Sequence, residues 1–193
     1  LTELRVSSPG HNAIVMQRGV FGSVLARAVT SMGTIDFSGS VVNGNLLLEG
    51  LILRAPRSGG EGLVLNDVRC DHLKLKGTAF EDPKRELQNP ALFDGATPRE
   101  HQRRSTVEGS VLIRSAIVKE RIELDALQVT ADGVGIDLSG AEASELLARL
   151  LTIESGSGRA INAESFHVEG RADLKDSDFT GAVSMNNVAV GAS

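Results

Sequence analysis

Uncharged side chains return every fifth residue along most of this chain, and they return in pairs. With Met16, Phe21, Ala26 and Ser31 as centres, the series continues through Phe37, Val42, Leu47 and Ile52, then Leu65, Cys70, Leu75 and Phe80. It resumes at Ile113, Val118, Leu124, Val129, Leu138, Ala143, Ala148 and Ile153, and ends with Ala163, Val168, Leu174, Phe179, Ser184 and Ala189. Steps inside each group are five, with an occasional six. No centre, and no residue two before a centre, is Asp, Glu, Lys or Arg, although 23% of the chain is charged.

Residues i−2 and i point to the same side of an extended segment. A turn after about five residues rotates the next segment by a quarter, so four segments close one coil. Both inward residues of every face then enter a shared interior, and the residue between them faces out. Asp36, Leu46, Lys74, Glu123, Asp137 and Asp173 hold that outward place. Corners need turn geometry, which Gly39, Gly44, Gly77, Gly140 and Gly181 suit. The interior of such a tube is narrow. With six Phe and no Trp or Tyr, the chain has the aliphatic filling a narrow tube requires. The expected fold is therefore all-β: a right-handed parallel β-helix of six to seven coils, ~4.8 Å apart and roughly 30 Å long. Segment 142–151 has a helical alternative, but Leu146, Ala148 and Leu151 also fit the five-residue register.

Ala172-Asp-Leu-Lys-Asp, Ser177-Asp-Phe-Thr-Gly and Ala182-Val-Ser-Met-Asn resemble consecutive pentapeptide repeats, and Ile35-Asp-Phe-Ser-Gly and Ile136-Asp-Leu-Ser-Gly resemble the same unit with a larger first residue. The chain is similar to degenerate pentapeptide-repeat proteins of bacteria. That resemblance implies a quadrilateral β-helix and little about activity, because the fold serves many functions.

Two segments interrupt the period, 53–62 and 81–106. They divide a single β-helix domain over 1–193. Four of the five prolines, Pro56, Pro83, Pro90 and Pro98, fall in them. Counting faces in fours from Met16 places both at one corner of neighbouring coils. Binding residues concentrate on loops carried by a rigid scaffold. The candidate binding residues are accordingly Arg54, Arg57, Glu61, Arg99, His101, Arg103 and Arg104.

Catalytic equipment is sparse. No G-x-S-x-G, H-E-x-x-H or Walker A pattern occurs. Gly133-Val-Gly135 reads as a corner. Cys70 and His72 supply two candidate ligands where zinc takes three or four, and Cys70 occupies an inward centre. No catalytic residue, metal or cofactor is expected. The net charge of −5 disfavours a nucleic-acid groove, and no apolar run is long enough to span a membrane.

These features point to a non-catalytic scaffold or interaction module, with a protein partner or self-association through the rod ends or the loop edge. A cytoplasmic location is expected. The chain starts with Leu, which leaves open that it is a fragment of a longer one. The alternatives are a DNA mimic acting on a type II topoisomerase, which would need a continuous acidic face, and a carbohydrate-active β-helix enzyme, which would need carboxylate clusters and aromatic platforms.

Overall fold

Why these residues coil is visible in the computed structural model, which describes residues 2–54, 60–79 and 102–191. Among the described residues there are strands, turns and bends but no helix. Nineteen strands form one parallel sheet that winds into a β-solenoid of about six turns. No helix is long and apolar enough to cross a membrane among the described residues.

Each turn has four faces. The first stacks strand Asn45–Glu49 on 72–76, then 121–125, 145–149 and Ala172–Lys175. The second stacks Ile52–Arg54 on Ser105–Glu108, Leu127–Ala131, the start of Thr152–Asn162 and 178–180. The third runs through 35–36, 63–64, 111–112, Ile136–Asp137, 161–162 and 183–184. The fourth runs through Val41–Val42, 69–70, 117–118, 142–143, His167–Val168 and Ala189–Val190. Segment 142–149, the one with helical potential, is a strand.

The interior is one continuous apolar column. Phe37, Leu65, Leu75, Leu124, Ile153 and Phe166 all belong to it. Each buried aliphatic side chain contributes about 1.5–3 kcal/mol by leaving water. The five-residue register holds nearly throughout, with corrections in two places. In Leu46-Leu47-Leu48 the inward residues are Leu46 and Leu48, while Leu47 faces out over Lys74. The same one-residue shift makes Leu53 the inward neighbour, with Ile52 outside. In the last coil Val190, not Ala189, is in register with the inward Val168, and Ser184 is in register with Asn162; Met185 and Val190 are exposed there.

The corner between the third and fourth faces repeats in every coil. A left-handed residue sits there each time: Arg18, Gly39, Asp67, Ser115, Gly140, Ser165 and Asn187, with φ between 52° and 68°. The two Ile-Asp-(Phe/Leu)-Ser-Gly sequences show what specifies it. Asp36 Oδ1 accepts from the Ser38 amide at 2.8 Å, and Asp137 Oδ1 accepts from the Ser139 amide at 3.0 Å. A carboxylate reaching two residues on is a local turn in its own right, and glycine then takes the left-handed position at low cost.

The interruptions do not share a corner. Residues 55–59 lie between the second and third faces, where the long steps Ser31–Phe37 and Val129–Leu138 also fall. Residues 80–101 lie one corner earlier, between the first and second faces. The reason is that Val107, not Phe80, supplies the inward residue of the second face in that coil, pairing with Leu53 and Val129. Residues 55–59 and 80–101, Phe80 among them, are outside the described residues. The chain re-enters through an antiparallel pairing of Gln102–Arg103 with Thr78–Ala79. Ser105 then locks the second face. It is fully buried, its hydroxyl donates to the Lys76 carbonyl at 2.7 Å, and its oxygen accepts from the Leu51 amide at 2.9 Å.

Asp137 is buried at the centre of a polar cluster. Burial pushes its carboxyl pKa up, but hydrogen bonds from Ser139 and from Arg114 outweigh this and hold it below the ordinary value. Arg114 Nε lies 2.7 Å from Oδ2, and Asn162 Nδ2 donates to Oδ1 at 3.0 Å. A carboxyl whose folded pKa is depressed contributes stability above its unfolded pKa of ~3.9 and loses it as pH falls through the folded value. Asp137→Asn is expected to cost about 1–2 kcal/mol at neutral pH. The gap to the parent chain should close as urea melts are repeated at falling pH below ~4. A gap independent of pH would show that the ionised carboxylate is not what matters.

Candidate functional site: the second face and a corner groove

The outward positions of the second face form two columns. One runs Thr30, Ile52, Thr106, Gln128, Thr152 and Asp178. The other holds Met32 and Arg54 and, further along, Glu108, Thr130, Glu154 and Thr180. Strand geometry dictates this display, because alternate residues must leave the core. The stripe is rich in hydroxyls, and two of its charged groups, Arg54 and Glu108, border one depression.

It is a shallow depression of ≈ 350 Å³ lined by Ile52, Leu53, Arg54, Arg104, Thr106 and Glu108. Arg54 and Arg104 are both exposed. Arg104 Nη1 donates to Thr152 Oγ1 at 2.6 Å, which lays the guanidinium along the face. In sequence both interruptions adjoin this face, 55–59 following Arg54 and 80–101 preceding Ser105–Glu108. The lining thus combines two arginines, one acid, Glu108, one hydroxyl, Thr106, and the aliphatic Ile52 and Leu53, a mixed polar surface on which arginine supplies the directional donors.

Of the seven residues proposed from sequence, the structure brings Arg54 and Arg104 together. Glu61 is exposed on strand Glu61–Val64 beside Ser110, and it does not line the depression. Arg103 pairs through its backbone with Thr78. Arg57, Arg99 and His101 lie outside the described residues.

A second concavity went unnoticed in the sequence. His72, Glu120, Arg121, Ser144 and Glu145 line a groove of ≈ 250 Å³ at the corner between the fourth and first faces. The six-residue step from Val118 to Leu124 was its signal, since it adds one residue at that corner, where the pairing register shifts. The polar side chains of the groove partner one another. His72 Nε2 lies 3.0 Å from Glu120, Arg121 Nε donates to Glu145 at 2.7 Å, and Ser144 Oγ donates to the Lys119 carbonyl at 2.7 Å.

Cys70 and His72 are not a ligand pair. Cys70 packs inside the coil and His72 lies outside against Glu120. Among the described residues no group of three or more His, Cys, Asp or Glu could hold a metal ion. Burial, with a smaller push from the Asp71 charge, raises the Cys70 thiol to about 12. The thiolate is the reactive form. A thiol reagent at pH 8 is therefore expected to label the native chain very slowly and the urea-unfolded chain at once. Rapid labelling of the native chain would mean that the coil opens there.

Against protein-family models, curated proteins and solved structures alike, the chain gives no match.

Proposed function

We propose that this protein is a non-catalytic interaction module that holds a protein partner against the second face, centred on Arg54 and Arg104. The observation that carries the reading is their convergence. The two arginines are fifty positions apart in sequence, yet they meet in one depression on a face that both interruptions adjoin in sequence. A rigid coil with such a face is a scaffold of the kind on which binding residues gather. The pentapeptide-like reading belongs to the same proposal. Its support is the four-faced coil and the paired inward residues at i−2 and i. The outward columns lend no acidic stripe to a DNA mimic, since Asp36 and Asp137 are separated by Val64 and Leu112. A cytoplasmic, bacterial setting is part of the proposal and rests on the repeat resemblance alone.

The test is capture by the whole chain, repeated with Arg54→Glu/Arg104→Glu. The doubly reversed chain is expected to keep its circular dichroism spectrum and melting temperature while losing at least tenfold in affinity for the captured partner. Deleting 80–101 separates the loop from the face. Undiminished capture by the charge-reversed chain sinks the second-face reading. Turnover of an acidic polysaccharide would sink the non-catalytic one.

A further inference from the structure

The first face is a charge ladder with an internal symmetry. Its middle outward column reads Leu25, Leu47, Lys74, Glu123, Leu147 and Asp173 along the rod. The flanking column reads Arg27, Glu49, Lys76, Asp125, Arg149 and Lys175. In the flanking column the signs alternate from Arg27 to Arg149, and neighbouring coils pair within the chain. Arg27 lies 2.9 Å from Glu49, Lys74 is 3.6 Å from Glu123, and Arg149 is 3.3 Å from Asp125. The carboxylates sit low on the face. Glu49, Glu123 and Asp125 are 10, 14 and 13% exposed, while Lys74 and Arg149 stand at 32 and 44%.

Consider a rotation by half a turn about an axis along the strands, midway between 72–76 and 121–125. It exchanges neighbouring coils outward from the centre. Lys74 then opposes Glu123 and Lys76 opposes Asp125. One coil further out, Leu47 opposes Leu147 and Glu49 opposes Arg149. Four opposed pairs are thus complementary in sign or in apolarity. The third column sets Asn45 against Glu145 and His72 against Arg121. The match fails at the outermost coils, where Arg27 meets Lys175 and Leu25 meets Asp173, and His72 against Arg121 brings no opposite charge. From this self-complementarity we infer that the first face is a self-docking surface, on which a second copy of the chain lies antiparallel about that two-fold axis. This is an isologous contact, and a point-group dimer closes on itself. Its occupant is independent of the second-face reading, since the two faces meet the coil's exterior at different sides.

Four coils at ~4.8 Å and five residues at ~3.3 Å give roughly 300 Å² of flat face per copy. Stable complexes use about 800 Å² per partner. The dimer is therefore weak and held largely by charge, and molar salt weakens it by shortening the screening length to ~3 Å.

Sedimentation velocity over a concentration series is the test. The parent chain is expected to pass from monomer to dimer at high micromolar concentration in low salt. Lys74→Glu and Glu123→Lys should each stay monomeric. An equimolar mixture of the two should dimerise again, because one chain carries only acids at these positions and the other only bases. Both chains in the mixture have lost the intramolecular pair, so restored association reports the contact between copies and not the fold. Lys76→Glu mixed with Asp125→Lys gives the same readout should either first variant fail to fold. A parent chain monomeric at every concentration overturns the inference, as does a mixture no more associated than its components.

Discussion

Placing aspartate at Leu46 or at Leu48 is expected to unfold the rod, while the same change at Leu47 leaves it intact. The three residues are consecutive and chemically identical, so only their direction differs. Leu46 and Leu48 are 0 and 1% exposed and stack on Leu73 and Leu75. Aspartate there forfeits the leucine's burial and cavity energy, about 2–5 kcal/mol, and strands a carboxylate among aliphatic side chains at further cost. The sum is comparable with a whole domain's stability of about 5–15 kcal/mol. Leu47 lies outside, registered with Lys74, where a surface substitution shifts stability by about 0.5 kcal/mol or less. Dilute urea melts of the three variants measure this directly. Equal loss in all three would refute the strand's alternation.

That triplet also shows where sequence reading reaches its limit. The coil was legible because inward places exclude charge, so a five-residue rhythm survives in composition alone. Leu46-Leu47-Leu48 has no polar residue to break the tie, and the register there is settled only by stacking on Leu73-Lys74-Leu75. The corner of the second interruption failed for a similar reason. Phe80 has the right type and spacing for an inward residue. The strand that fills the place, Ser105–Glu108, has a single aliphatic side chain and follows a charged stretch. Everything about the site hangs on that count. Arg54 and Arg104 become neighbours only when Ser105–Glu108 stacks beside Ile52–Arg54, a pairing between segments some fifty residues apart. The groove around His72 and Glu120 is hidden likewise, since its walls come from coils on either side of the long interruption. By contrast, the Asp36 and Asp137 turns are local, and their shared Ile-Asp-(Phe/Leu)-Ser-Gly sequence announces them.

Gly135 makes the opposite demand on the chain: here the fold needs the absence of a side chain. An alanine Cβ at this buried position would overlap Ile153 Cγ2 and stand 2.6 Å from the Ala160 carbonyl oxygen. The oxygen is backbone of the next coil, and it cannot move aside alone. Gly135 donates its amide to the Arg159 carbonyl at 3.1 Å and accepts from the Val111 amide at 2.9 Å. These bonds fix the spacing to the coils on both sides, so relieving the overlap means stretching a ladder. Gly133, two residues earlier at the same corner, has room. Its added Cβ would meet Ser110 Oγ at 3.6 Å, an ordinary contact. Gly135→Ala is expected to cost about 3 kcal/mol, the upper range for overpacking. That corresponds to a melting temperature lower by roughly 6–12 °C for a chain of this size. Gly133→Ala is expected to melt within about 2 °C of the parent, the margin left by a surface change of about 0.5 kcal/mol. The glycine pair then separates two explanations of a glycine-bearing corner, because flexibility would penalise both substitutions alike, whereas coil-to-coil contact penalises only Gly135.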